Sequence, residues 1–93
     1  MRLSTFERNS IKEIVKEFDP EAQVFLFGSR VYDTSKGGDI DLLLITKRNT
    51  FTDKLKLKVQ IKKKIGDQRI DIVLTAKVED SFSRLIYPQA VLI

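Results

Sequence analysis

Apolar residues along the chain fall into blocks of different period. Near the start, Ile11, Ile14, Val15 and Phe18 recur at helical intervals, with Arg8, Lys12, Lys16 and Glu17 between them. Ser4 and Glu7 precede this run at capping-box spacing and Asp19-Pro20 closes it, so the pattern predicts an amphipathic helix. Residues 22–27 are short, branched and aromatic, apolar on both faces toward their end and stopped by Gly28-Ser29, which reads as a buried strand. Residues 30–38 are polar; a single helical turn starting at Ser29 fits the front, and Lys36-Gly37-Gly38 reads as a mobile turn. Residues 39–46 then form a strand that begins with Asp39 and Asp41 and becomes apolar on both faces, as a central strand does.

Two patterns compete in residues 51–65. From Lys54 to Ile61 polar and apolar residues alternate, which alone describes an exposed strand. Thr50 and Asp53 supply a second capping box, Lys and Leu are good helix formers, and Gly66 suits a helix C-terminus, so we read a helix. On that helix Leu57, Ile61 and Ile65 make one i,i+4 row, and Phe51, Leu55 and Val59 another beside it. Residues 69–74 form a third strand with one acid, Asp71, inside an aliphatic run. A short helix around residues 80–86 follows, cut by Pro88, and then an apolar tail, Ala90-Val91-Leu92-Ile93, open to pairing with a second copy of the chain. The order of elements predicts an α/β fold, a two-layer sandwich of helices on a small sheet.

A length of 93 residues fits one compact domain over 1–93, so a second lobe is expected from another chain. The chain contains no Cys and no His, which excludes disulfides, thiolate nucleophiles, imidazole bases and the usual zinc ligand sets. Chemistry here runs on carboxylates, hydroxyls and backbone. A net charge of +4 favours anionic partners, nucleotides among them. With neither a leader pattern nor an apolar run of about 18 residues, a cytoplasmic protein with no membrane partner is expected.

Side chains two apart on a strand point to the same face, which aims Asp39 and Asp41 one way at about 7 Å spacing. Such a pair suits Mg²⁺, which takes hard oxygen ligands and is commonly held by one or two carboxylates with substrate phosphates. Two solvated charges on an open sheet face are the plainer reading. Asp71, on a neighbouring strand, offers a third oxygen ligand or a proton acceptor; flanked by Ile70, Ile72 and Val73, it is expected to pay for desolvation unless a cation or donor meets it. Gly28-Ser29, after a strand and before a turn, offers backbone N–H groups and a hydroxyl to phosphate, or simply a helix cap. The Gly-Lys-Ser/Thr end of a P-loop does not follow.

Together, Phe27-Gly28-Ser29-Arg30, Gly38-Asp39-Ile40-Asp41-Leu42 and Arg69-Ile70-Asp71-Ile72-Val73 resemble the DNA polymerase β-type nucleotidyltransferase superfamily, and within it the minimal nucleotidyltransferases, the MNT proteins. The resemblance spans the leading helix through the third strand. It departs at Asp33, where the family often has glycine, and at Gly38, where it often has serine. It implies a palm-like mixed sheet flanked by helices. It also implies nucleotide binding by Gly28 and Ser29 with Arg30 adding charge, and a catalytic, metal-binding trio of Asp39, Asp41 and Asp71 holding two Mg²⁺ ions with ATP as substrate.

In the minimal family the usual partner is a helical HEPN protein, commonly a toxin, which the MNT member silences by transferring AMP to a tyrosine. The resemblance therefore implies a protein adenylyltransferase acting as antitoxin. Two alternatives stand beside it: a catalytically silent subunit that binds nucleotide or masks a toxin, and a nucleic-acid-binding module using the lysines between Lys54 and Lys64.

Overall fold

The first helix, α1, spans Thr5–Phe18 in the computed structural model, which describes residues 3–32 and 38–93. Both halves of its capping box form: the Glu7 amide donates to the Ser4 hydroxyl at 3.0 Å, and the Ser4 amide donates to the Glu7 carboxylate at 2.9 Å. These bonds satisfy N–H groups that the first helical turn cannot pair internally. Strand β1 (Gln23–Phe27) runs into a 3-10 turn, Gly28–Val31, where a helical turn was expected. Of the turn expected at Lys36-Gly37-Gly38, only Gly38 lies within the described residues.

Strand β2 covers Ile40–Ile45, helix α2 Phe51–Ile65 and strand β3 Ile70–Thr75. The alternating segment is thus helical, and its Thr50–Asp53 capping box is complete. Of the two apolar rows on α2, Leu57 and Ile61 are buried and Ile65 half-buried, while Phe51, Leu55 and Val59 face outward, Phe51 at 73% exposure. The period-two alternation arises because those outward residues are apolar where an amphipathic helix is usually polar.

Helix α3 (Ser81–Ile86) continues into a 3-10 turn, Tyr87–Gln89, and then strand β4 (Val91–Leu92). The sheet order is β3-β2-β1-β4. β2 and β3 run parallel, whereas β1 pairs antiparallel with both β2 and β4. The apolar tail is therefore the fourth strand: it covers the edge of β1, the Ile93 amide donates to the Val24 carbonyl at 3.1 Å, and the Ile93 side chain is buried. Val91 and Leu92 remain outward.

Strand parity sorts the sheet into two faces. Val24 and Leu26 of β1, Ile40, Leu42 and Leu44 of β2, and Ile70 and Ile72 of β3 form one core with Ile11 and Val15 of α1 and Leu57 and Ile61 of α2. On the opposite face Phe25 meets Tyr87 and Phe27 meets Phe82, edge-on, with ring centroids 5.3 and 6.4 Å apart. α3 and its following turn thus lay a partial third layer over β1, in addition to the two expected. The cover extends to Leu43, which is fully buried, but leaves Asp71 exposed and Asp41 half-buried at the leading ends of β3 and β2.

Candidate active site

Asp41 is flanked by Ile40 and Leu42, both buried against the helices, so its own side chain takes the other face. The same parity in β3 puts Asp71 on that face between Ile70 and Ile72. The parallel register pairs Asp41 directly with Asp71, on strands whose usual spacing is about 4.8 Å. Asp39 lies one residue ahead of β2, and its carboxylate is 3.9 Å from Nε of Arg69, an exposed residue one position ahead of β3.

Burial pushes the Asp41 carboxyl above the ordinary aspartate range, and the charges of Asp71 and Asp39 push it further in the same direction. Asp41 therefore senses the charges of the other two acids. Desolvation, however, falls on Asp41 and not on Asp71. β3 is an edge strand, and α3 meets it through the Asp80 N-cap at Thr75, the far end from Asp71, so Asp71 stands in solvent despite its aliphatic neighbours in the chain.

On the other side of Asp41, the antiparallel register opposes it to Phe27, and the chain turns sharply at Gly28. Gly28 has φ +76, and a Cβ on it would sit 2.3 Å from Oδ2 of Asp41. Only glycine lets the end of β1 pass this close to the carboxylate. Ser29 follows on the exposed 3-10 turn.

Arg30 engages the approaches to β2 and β3. Its Nε donates to the Gly38 carbonyl at 3.3 Å and a terminal nitrogen to Oε1 of Gln68 at 3.3 Å, while the Gln68 amide donates to Oε2 of Glu7 at 2.6 Å. This chain of contacts ties the turn after Gly28, the approach to β2, the approach to β3 and the start of α1 together. Burial raises the Glu7 carboxyl, but hydrogen bonds from Gln68 and Ser4 and the charge of Arg30 outweigh it, and the net shift is downward. Gln68 and Glu7 carry no motif in the sequence and lie 61 residues apart. Only the Ser4–Glu7 capping spacing drew attention to Glu7 beforehand.

The residue types suit a divalent cation: Asp41 and Asp71 are paired in register, Asp39 lies just ahead of β2, and burial first, then the charges of Asp71 and Asp39, raises the Asp41 carboxyl. Among the described residues, no group of three or more acids is gathered closely enough to hold a metal ion by itself. An open pair of carboxylates that leaves positions for phosphate oxygens is the usual arrangement for Mg²⁺ at a phosphoryl-transfer site.

A four-stranded mixed sheet with helices α1 and α2 on one face and carboxylates at the leading ends of two parallel strands on the other has the architecture of the nucleotidyltransferase fold. The family model described as a nucleotidyltransferase domain matches residues 8–91, and the chain belongs to that family. Its general activity is accordingly nucleotidyl transfer, and it is a transferase. No curated protein matches the chain significantly.

Proposed function

We propose that this domain transfers AMP from ATP, with Mg²⁺ bound at Asp39, Asp41 and Asp71, to a hydroxyl of a partner protein. The acceptor in this reading is a tyrosine of a helical HEPN toxin, and the domain acts as its antitoxin. The observation that carries the transfer chemistry is the placement of Asp41: half-buried, opposed to Asp71 in register and beside the gap left by Gly28. The HEPN partner is supported by the resemblance of the three motifs to the minimal nucleotidyltransferases.

In this reaction the acceptor oxygen forms a bond to the α-phosphorus, the bond from that phosphorus to the bridging oxygen breaks, and pyrophosphate leaves. Bound Mg²⁺ supplies charge neutralisation for the phosphates and a lower hydroxyl pKa. Asp39, Asp41 and Asp71 would hold the cations, and Asp71, exposed at the sheet edge where an acceptor can approach, would also take the hydroxyl proton. Gly28 and Ser29 border the phosphates, the glycine by close backbone approach and the serine through its hydroxyl. Arg30, engaged with Gly38 and Gln68, contributes by positioning that turn and by long-range attraction.

The test is to incubate the protein, and an Asp39→Asn/Asp41→Asn double variant, with host lysate, Mg²⁺ and ATP labelled at the α-phosphate. A labelled protein band produced by the wild type alone is expected, and its size identifies the acceptor. Equal labelling by the double variant overturns the assignment of the acids. Undiminished ATP binding without transfer selects a masking subunit, and labelled RNA in place of protein selects a nucleic-acid acceptor.

A further inference from the structure

Beside the carboxylates lies a cavity of about 310 Å³ that the transfer chemistry leaves unassigned. Its walls are Phe27, Gly28, Leu85, Ile86 and Gln89. Gly28 borders it on one side and makes room for the Asp41 carboxylate on the other, so a single backbone position joins the cavity to the acids. A somewhat larger hollow of about 370 Å³, lined by Lys12, Lys16, Leu92 and Ile93 among others, lies between α1 and β4 and includes none of the three acids.

The smaller cavity has the chemistry of a flat heterocycle's seat. Its volume is at the lower end of the range for small-molecule sites, about 300–1,000 Å³. Three walls are apolar side chains, and among the described residues no charged group lines it. The Phe27 ring is braced edge-on by Phe82, and Ile86 is half-buried, so these walls are present without a ligand. Among the described residues its polar side chain is Gln89, whose amide carries a donor and an acceptor side by side. That pair matches the amino group and ring nitrogen along one edge of adenine.

We propose that this cavity receives the nucleobase of the triphosphate, adenine by preference, and that Gln89 determines the specificity. The inference rests on the nucleotidyl-transfer reading, because the phosphates at the acids tether the base next to the cavity. Apolar contact with Phe27, Leu85 and Ile86 supplies affinity for the ring, and the Gln89 amide distinguishes adenine from other bases.

Calorimetric titration of ATP, CTP and inorganic tripolyphosphate, each with Mg²⁺, into wild type, Gln89→Leu and Ile86→Trp tests this. Ile86→Trp fills the cavity and is expected to weaken ATP about tenfold or more without changing tripolyphosphate binding. Gln89→Leu, on an exposed turn where folding is not at risk, is expected to reduce the preference for ATP over CTP about tenfold, again sparing tripolyphosphate. ATP affinity equal to wild type in both variants overturns the proposal. So does a parallel loss of ATP and tripolyphosphate in Gln89→Leu. Failure of tripolyphosphate to compete with ATP on the wild type, with ATP still weakened by Ile86→Trp, refutes the phosphate site and leaves the base cavity standing.

Discussion

Gly28 and Asp41 constrain each other, since the carboxylate occupies the space a side chain on residue 28 would need. Gly28→Ala meets both a positive φ and that clash. It is expected to cost about 1–2 kcal/mol from the backbone alone, more where Asp41 cannot yield, and to abolish transfer. Chemical denaturation and the labelling assay check the two effects. Asp41→Asn keeps the shape and removes a charge that Asp71 and Asp39 oppose. It is expected to abolish transfer while melting no lower than the wild type. A marked fall in its melting temperature would show that the carboxylate is held by favourable contacts and not set against its neighbours. The two acids of the D-x-D pair were legible from their spacing. The solvent exposure of Asp71 was not, because its neighbours in the chain are aliphatic while its surroundings depend on how far α3 extends across the sheet.

Elements are joined at their ends by contacts that respond to pH. The Thr46 hydroxyl donates to Oδ2 of Asp19 at 2.6 Å, linking the residue after β2 to the C-cap of α1, and Arg48 stacks over Phe18 at 4.2 Å. The hydrogen bond from Thr46, then that from the Glu21 amide, hold the Asp19 carboxyl below its ordinary value of 3.8. A carboxylate lowered in the folded state stabilises above its unfolded value, and that contribution is lost as pH falls through the folded one. Asp19→Asn is therefore expected to melt lower than wild type at pH 7, with the gap closing as pH drops below about 3.8, read from melting temperature against pH. Helix α2 provides a test of packing within one element. Leu57 is fully buried and Leu55 about half exposed, so Leu57→Ala should cost about 2–5 kcal/mol and Leu55→Ala within about 0.5 kcal/mol in urea unfolding. The capping boxes and the glycine stop made α2 legible as a helix. Which of its two apolar rows faces the core was decided by the sheet beneath it.

At the scale of the molecule, the tail closes the sheet. β1 would otherwise present an unpaired edge, which invites association with another chain. Ile93 is buried in the core shared by α1 and the sheet, so Ile93→Ala is expected to cost about 2–5 kcal/mol. Equilibrium denaturation measures the loss, and unchanged stability would show that the tail pairs without contributing to the core. The same closure shapes the acid face. Residues 87–93 carry the chain from α3 to the edge of β1, which holds α3 over β1 and leaves the leading ends of β2 and β3 open. Among the described residues no helix is long and apolar enough to cross a membrane.

The sequence by itself determined what depends on neighbours along the chain: the capped helices, the periods of the strands, and the glycine at the end of β1. These follow from backbone geometry and from groups within a few residues of one another. Tertiary structure alone decided that the apolar tail is a strand, that Asp41 and not Asp71 bears the desolvation, and that Arg30 reaches Gly38 and Gln68 and, through Gln68, Glu7. Each of these outcomes depends on which segments lie side by side after folding. Strand pairing and side-chain hydrogen bonds between segments tens of residues apart depend on closing the intervening chain and burying one shared core, and no local pattern encodes that choice.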